Sequence, residues 1–215
     1  MQEDYKYELM EDPKELAGLG LCSEKVYRDL LACQKGGMEE SQFKAKYLSK
    51  TAILCLDIAD FTRTAIAQGE LHSLLRILDV QKVCGPVFRG LNARQVRAFA
   101  DDFTVIFDNP NDALNAAFEV HHRIELFNRS DLAPKNPASC CIGIGYGEVF
   151  AIGRDLAMGD EMNQASKLGE DIAKGTETLI TERAYEALKE RNDCVFQKRT
   201  HNRVPFHYYQ VSKQK

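Results

Sequence analysis

Apolar residues along the chain fall into short continuous runs and stretches of helical spacing, a pattern that predicts strands covered by helices. Residues 52–56 form an apolar run typical of a strand buried on both faces. Residues 64–84 are predicted to form a long helix. Its apolar stripe, which we expect to face the core, consists of Leu71, Leu74, Leu75, Leu78 and Val83. Residues 95–99 and 103–107 predict two strands joined in a hairpin at residues 100–102.

The second half of the chain continues this alternation after strong turn residues at 108–111. Strands are predicted over residues 140–146 and 178–181 and within 194–211, and helices over 112–128, 159–172 and 182–191. The predicted element order is β–α–β–β–α–β–α–β. A βαββαβ segment of this kind predicts an α+β, ferredoxin-like fold, in which one sheet carries helices packed on it.

The first 48 residues differ in composition from the rest of the chain. They are charged and are broken by Pro13 and by the pair Gly36-Gly37. Residues 24–33, with Ser23 as N-cap, and residues 41–49 predict two short amphipathic helices. Because such a segment is too short to bury a core of its own, we expect a helical extension over 1–48 and a catalytic domain over 49–215.

Composition and charge narrow the classes of function. The chain has 215 residues and a net charge of −4, which argues against a nucleic-acid polymer as the main ligand. Its seven cysteines include no C-x-x-C pair, so reduced thiols in the cytoplasm are expected rather than a zinc site. No apolar run reaches about 18 residues, and the charged N-terminus lacks the features of a signal peptide. We therefore expect a cytoplasmic protein that does not enter a membrane.

Two acidic clusters point to phosphate chemistry. Residues 57–62 have the sequence Asp-Ile-Ala-Asp-Phe-Thr and join a buried strand to the start of a helix. The free N–H groups at a helix start favour the binding of phosphate, and Asp57 can bind Mg²⁺ there. Asp101 and Asp102 occupy the tip of the predicted hairpin. Each cluster alone also fits a structural role, as a helix cap or as turn residues. If the hairpin lies beside the first strand, the carboxylates converge into a two-metal site.

A third cluster, residues 159–167, places Asn163 and Lys167 four positions apart on one helix face. An amide and a cation on one face suit a ribose and a polyphosphate. The alternative is an ordinary exposed helix face.

In combination, these segments resemble the catalytic domain of the class III nucleotidyl cyclases over residues 51–211. DIADFT resembles the first metal motif of that family, D-I-x-G-F-T, and RAFADDF resembles its second, K-x-x-G-D. GIGYGEV, GDEMNQASKL and TETLITERAYEAL resemble three further segments of the family.

The resemblance implies a set of roles for residues of this chain. Asp57 and Asp101, with the Ile58 carbonyl, would bind two divalent ions, Mg²⁺ or Mn²⁺. Asn163 would orient the ribose, and Lys167 would take the place of the arginine that neutralises charge in the transition state. The backbone that would hold the β- and γ-phosphates belongs to Ala59, Asp60, Phe61 and Thr62.

The resemblance also implies the reaction and the assembly. The ribose 3′-hydroxyl of a nucleoside triphosphate would attack the α-phosphorus and expel pyrophosphate. In this family the site is built across a homodimer, so that Asp57 and Asp101 of one subunit face Asn163 and Lys167 of the other.

The base-recognition positions depart from the family pattern. Arg97 takes the place of the base-selecting lysine, and Leu156 that of its aspartate or cysteine partner. The planar fork of Arg97 favours a pyrimidine base, and Phe99, Leu156 and Met158 would form an apolar pocket around it. We therefore expect UTP as the preferred substrate and CTP as the next. The chain thus resembles the bacterial antiphage cyclases, whose cyclic UMP or CMP activates a separate effector. A register shift of one residue would instead place Asp155 at the partner position and favour adenine.

Two alternatives remain open. The first is an adenylate or guanylate cyclase with an atypical base pocket. The second is a non-enzyme, either an inactive cyclase-homology domain with a regulatory role or a ferredoxin-like RNA-binding module. An RNA-binding module is expected to carry a basic face and exposed aromatic residues on its sheet, whereas this chain is acidic.

Overall fold

The computed structural model describes residues 9–20, 22–132, 137–152 and 156–214, and of Leu156 it describes the backbone alone. The chain divides into two units. The first comprises the described residues of Met1–Ser49 and Phe150–Ala157, and the second those of Lys50–Val149 and Met158–Lys215. The predicted division into an extension over 1–48 and a domain over 49–215 stays a prediction.

The first unit contains three short helices, α1 (Pro13–Gly18), α2 (Glu24–Gln34) and α3 (Glu40–Tyr47). Ser23 caps α2 as predicted, since its hydroxyl accepts a hydrogen bond from the Val26 amide at 3.4 Å. Val26 packs with Phe43 and Ile152 in a small apolar cluster.

Eight strands form the sheet in the order β2-β3-β1-β4-β6-β8-β7, with β5 paired to β4. Their bounds are Leu48–Ile58 (β1), Gln95–Phe99 (β2), Asp102–Phe107 (β3), Cys140–Ile152 (β4), Leu156–Met158 (β5), Thr178–Thr181 (β6), Cys194–Arg199 (β7) and Tyr208–Lys213 (β8). The order β2-β3-β1-β4 is that of a ferredoxin-like sheet, so the predicted α+β fold is confirmed.

Within the part of the chain that the structure describes, the second unit contains five α-helices. They are α4 (Phe61–Gln68), α5 (Glu70–Gly90), α6 (Pro110–Asn128), α7 (Asp160–Lys167), which continues as a π-helical turn over Leu168–Ile172, and α8 (Glu182–Leu188). Leu54, Phe88, Phe107 and Leu114 lie at the centre of the main core, where α5 and α6 pack on the sheet. In the described part of the chain, no helix is both long enough and apolar enough to cross a membrane.

The predicted helix over 64–84 is two helices, and of its predicted apolar stripe Val83 packs against the core while the four leucines do not. The helices separate at Gly69, which has a φ of 88°. Leu71, Leu74, Leu75 and Leu78 are 48–71% exposed, whereas the buried residues of α5 are Ser73, Arg76, Val80, Cys84, Val87 and Phe88. The apolar residues near the end of α5 set which face is buried, and the polar residues Ser73 and Arg76 on that face donate hydrogen bonds to the carbonyls of Gly69 and Ala59.

Candidate active site

The end of β1 and the start of β3 bring two aspartates face to face. In the antiparallel register Asp57 lies opposite Asp102, and Phe99 of β2 also pairs with Asp102. The hairpin therefore turns through Ala100 and Asp101 alone. Asp101, which we predicted beside Asp57, lies in this turn, while Asp102 is the residue directly across from Asp57.

The turn carries a local backbone cost. Ala100 has a φ of 50°, in the left-handed region that glycine adopts most readily. Ala100 stands where the resemblance has a glycine, so the chain keeps the glycine-type turn with an alanine in it. This conformation holds Asp101 at the tip of the hairpin.

The carboxylates perturb one another strongly. Burial, together with the negative charges of Asp102 and Asp101, raises the pKa of Asp57 to about 7. Burial and the negative charges of Glu170 and Asp101 raise the pKa of Asp102 to about 6. The hydrogen bond between the two carboxyl groups raises the pKa of Asp57 and lowers that of Asp102. A bound cation would reverse this effect, because opposite charge favours the ionised form of both groups.

Glu170 is a further acidic residue of this region, and our sequence reasoning did not identify it. It lies on the π-helical turn after α7, and its charge raises the pKa of both Asp57 and Asp102. Its carboxylate accepts a hydrogen bond from the Ser166 hydroxyl one turn earlier. No local motif marks Glu170, because only the packing of α7 on the sheet brings it there.

That packing depends on glycines. A Cβ on Gly169 would lie 2.8 Å from the Cys55 carbonyl oxygen, and a Cβ on Gly143 would lie 2.0 Å from the Ala165 carbonyl oxygen. Contacts this short exclude any side chain. The two glycines therefore let α7 and its π-helical turn lie directly on β1 and β4, which places Glu170 near the aspartates.

The loop between β1 and α4 is held from several sides. The Ala59 amide donates to the Ser139 carbonyl at 2.9 Å. Asp60 adopts a left-handed φ of 58°, and its carbonyl accepts from the amide and the hydroxyl of Thr64 at 3.0 and 2.9 Å. The Asp60 side chain does not cap α4 but pairs with Arg63. The first amides of α4 lack intrahelical partners, as at any helix start.

Asn163 and Lys167 both lie on the exposed side of α7. The Lys167 ammonium pairs with Asp171 at 3.5 Å. Within the described chain, neither Asn163 nor Lys167 has a hydrogen bond or ion pair with Asp57 or with the hairpin aspartates. The structure thus brings the carboxylates together and, among the described residues, shows no bond from them to either of these two groups.

The opposite side of α7 is anchored by Glu161, which is 1% exposed. Its carboxylate accepts from the Tyr146 amide at 2.9 Å and from the Thr181 hydroxyl at 2.6 Å, and it pairs with Arg183 at 3.2 Å. These bonds fix the start of α7 against β4 and β6, and so fix where Asn163 lies.

The predicted base-recognition residues lie on edge strands. Arg97 and Phe99 share one face of β2, with the guanidinium carbon 5.4 Å from the Phe99 ring centroid. Phe99 is 67% exposed, and the positive charge of Arg97 lowers the pKa of Asp102 against the larger effect of burial. Met158 ends β5 and is 53% exposed. The Leu156 side chain and Asp155 lie outside the described residues.

No model of a protein family and no curated protein matches the chain. Solved structures do. The adenylyl cyclase CyaB from P. aeruginosa is 17% identical with a TM-score of 0.67, over 78% of this chain and 96% of that chain. The guanylate cyclase domain of RhGC from Catenaria anguillulae, in complex with GTP, is 18% identical with a TM-score of 0.64, over 77% and 97%.

A third similar structure, the adenylate/guanylate cyclase/hydrolase from Silicibacter pomeroyi, is 18% identical with a TM-score of 0.62, over 78% of this chain and 98% of that chain. All three are cyclases that match this chain over nearly their whole length. The chain has the class III nucleotidyl cyclase fold. In this cyclase fold the strands that carry Asp57 and Asp102 lie at the centre and near one edge of the sheet.

The donor groups at this end of the cyclase fold suit a hard divalent ion. Among the described residues, no group of three or more His, Cys, Asp or Glu side chains is arranged to hold a metal ion by itself. The ligands predicted from the sequence are the carboxylates of Asp57 and Asp101 and the carbonyl of Ile58, and the structure adds the carboxylate of Asp102 opposite Asp57. Mg²⁺ is commonly held by one or two carboxylates together with substrate phosphates, so this donor set fits the ion.

Proposed function

We propose that this protein is a nucleotidyl cyclase, which converts a nucleoside triphosphate to a 3′,5′-cyclic nucleotide and pyrophosphate. The observation that carries the proposal is the meeting of Asp57 with Asp101 and Asp102 beside the start of α4. Mutually repelling carboxylates next to unpartnered helix amides suit a metal-bound triphosphate. The similarity to solved cyclases over nearly their whole length supports the same chemistry.

In this proposal Asp57, Asp101 and the Ile58 carbonyl hold two divalent ions, Mg²⁺ or Mn²⁺. When bound, the metal lowers the pKa of the ribose 3′-hydroxyl and stabilises negative charge on the departing pyrophosphate. Of the four residues named for phosphate binding, Ala59 is the exception, because its amide already donates to the Ser139 carbonyl. The backbone amides of Asp60, Phe61 and Thr62 hold the β- and γ-phosphates at the positive end of α4.

Asn163 and Lys167 act on the reacting nucleotide. Asn163 orients the ribose so that its 3′-oxygen is in line with the α-phosphorus. Lys167 donates to the oxygens that gain charge in the transition state. Because both side chains lie on the exposed side of α7 and make no bond to the aspartates in the described part of their own chain, we propose that they complete the site of a second copy in a homodimer. One solved relative of this fold, from Blastocladiella emersonii, is described as a non-canonical dimer.

Arg97 and Phe99 support a pyrimidine base as substrate. The guanidinium and ring on one exposed face of β2 offer a donor fork and a stacking surface. We propose UTP, and then CTP, with Leu156 and Met158 completing the pocket. The cyclic product would act in the cytoplasm on a separate effector in antiviral defence.

Direct product identification tests this proposal. Purified protein is incubated with Mn²⁺ and with ATP, GTP, CTP or UTP separately, and cyclic products are identified by mass, with Asp57→Ala and Asp101→Ala as inactive controls. A cyclic product from UTP or CTP supports the full proposal. Conversion of ATP or GTP alone keeps the cyclase and overturns the pyrimidine assignment. No product from any nucleotide favours a regulatory domain instead.

A further inference from the structure

A buried arginine lies beneath the loop that we assign to phosphate binding. Arg76 on α5 is 6% exposed. Its Nη2 donates to the Ala59 carbonyl at 3.1 Å, and its Nη1 donates to the Thr64 hydroxyl at 3.2 Å. Its Nε is buried and has no hydrogen-bond partner. In the part of the chain that the structure describes, no carboxylate lies within ion-pair distance of Arg76.

This arrangement is costly for the free protein. A buried charge is ordinarily paired with an opposite charge, and a buried N–H is ordinarily hydrogen-bonded. The Arg76 guanidinium has two neutral oxygen partners and one unmade hydrogen bond, so its positive charge is not compensated. A neutral side chain of similar size would avoid this cost if packing were the only requirement.

The hydrogen bonds of Arg76 also set the direction of the loop. The Ala59 carbonyl points inward to the guanidinium. Because the peptide unit is planar and trans, the Asp60 amide on the same unit points the opposite way, away from Arg76. The Thr64 hydroxyl, which accepts from Arg76, donates in turn to the Asp60 carbonyl at 2.9 Å. Arg76 thus fixes both peptide units that flank Asp60.

We propose that Arg76 is a positioning residue for the triphosphate, whose negative charge compensates the buried guanidinium through this loop. The inference rests on the proposed function, since it assigns the phosphates to the loop from Ala59 to Thr62. Arg76 does not touch the nucleotide. It presents the Asp60 amide outward and raises the positive potential behind it, where the low dielectric of the interior keeps the charge effective.

Binding of inorganic triphosphate in the presence of Mg²⁺, measured by calorimetry on the full chain, tests this inference without any turnover. Arg76→Met removes the charge at similar volume and should weaken binding by about tenfold or more. Arg76→Lys keeps the charge but cannot reach both oxygens as the fork does, so it should lose less affinity than Arg76→Met. Arg89→Met makes the same change at an exposed position of the same helix and should leave binding unchanged.

The melting temperature of the ligand-free variants separates this role from a purely structural one. If Arg76 served only to hold the fold, Arg76→Met would lower the melting temperature and leave triphosphate affinity intact. We expect the reverse, an unchanged or higher melting temperature with weaker binding. Should Arg76→Met fail to fold, Arg76→Gln takes its place, because it removes the charge and keeps hydrogen-bond donors, and a triphosphate affinity equal to that of the wild type would overturn the role of charge.

The outcomes distinguish this inference from the proposed function. Equal triphosphate affinity in the wild type and Arg76→Met overturns the inference and leaves the cyclase proposal standing. No binding of inorganic triphosphate, UTP or ATP by the wild type overturns both.

Discussion

The two sides of the candidate site differ in how completely one chain builds them. On the carboxylate side, the register of β1 and β3 and the two-residue turn hold Asp57 and Asp102 together, half-buried and hydrogen-bonded to each other. On the α7 side, Asn163 and Lys167 lie on an exposed helix face. The carboxylate side is assembled by neighbouring strands of one sheet, whereas the α7 side exposes its groups on the surface of the chain.

Because of this difference, the carboxylate side responds to cations and protons, whereas the α7 side responds to the nucleotide. The carboxylates are close enough to shift one another's pKa, so that a cation or a proton is needed to hold them together. The groups on α7 are positioned by the anchor at Glu161 on the other side of the helix, and their chemistry begins only when a nucleotide arrives. If the two sides come from different chains, each can be removed separately and then restored by mixing.

The largest expected effect is loss of activity in single variants and its recovery on mixing. Asp57→Asn and Asn163→Ala should each lose about 10³-fold in cyclase activity, because each homodimer then has two damaged sites. An equal mixture that exchanges subunits has one intact site in every heterodimer. We expect recovery to about a quarter of the wild-type rate at equal total protein.

The control for this experiment is a mixture of two variants on the same side. Asp57→Asn mixed with Asp101→Asn leaves no intact site in any dimer and should stay inactive. If the Asp57→Asn and Asn163→Ala mixture also stays inactive although subunits exchange, the two sides belong to one chain.

Lys167→Ala should have the next largest effect. A cation that acts on charge developing in the transition state contributes to kcat more than to KM, so we expect kcat to fall by about 10²-fold with KM within about threefold. Lys167→Arg keeps a cation and should remain active, because the family arginine stands at this position. Lys174→Ala, an exposed lysine beyond the π-helical turn, serves as the matched control. A change confined to KM would assign Lys167 to ground-state binding.

Arg97→Ala should change the choice of base and reduce the rate only moderately. Loss of the donor fork should lower kcat/KM for UTP by about tenfold, with a smaller loss for the purine nucleotides. Val96→Ala alters the neighbouring position, whose side chain points to the opposite face of β2, and should leave the ratio of substrates unchanged. Competition assays with all four nucleotides measure that ratio. An equal loss for every base would contradict a role in selection.

The elements that build the carboxylate side could be predicted from the sequence because their signals are local. The apolar run before Asp57, the strands of the hairpin and the turn between them all lie within short windows. The position of Asp102 opposite Asp57 could not be predicted, since it depends on a register that one residue in the turn would change. The resemblance to the second metal motif selects Asp101 of the two hairpin aspartates, whereas the structure brings both Asp101 and Asp102 to Asp57.

Elsewhere, features that depend on long-range packing could not be predicted from the sequence. Glu170 reaches the aspartates only because Gly143 and Gly169 let α7 lie directly on the sheet. The buried face of α5 was predicted wrongly because hydrophobicity alone favours the leucines. Arg76 is buried on that face through hydrogen bonds to Ala59 and Thr64, which are distant along the chain.

The smallest expected effect concerns the stability of the metal-free protein, measured as melting temperature against pH. The folded-state pKa values of Asp57 and Asp102, about 7 and about 6, lie above the usual value for aspartate. The folded protein therefore binds more protons than the unfolded chain between about pH 4 and 7, and stability falls as pH rises through that range.

Asp102→Asn removes one charge of the pair, so it should melt about 2–4 °C higher than the wild type at pH 8. The difference should shrink towards pH 5, because Asp57 and Asp102 of the wild type both take up protons there and no longer repel each other. Asp108→Asn, at an exposed position after β3, should show no such convergence. An Asp102→Asn protein that is less stable by the same amount at both pH values would mean that the pair stabilises the fold, and that its repulsion is not what a metal ion relieves.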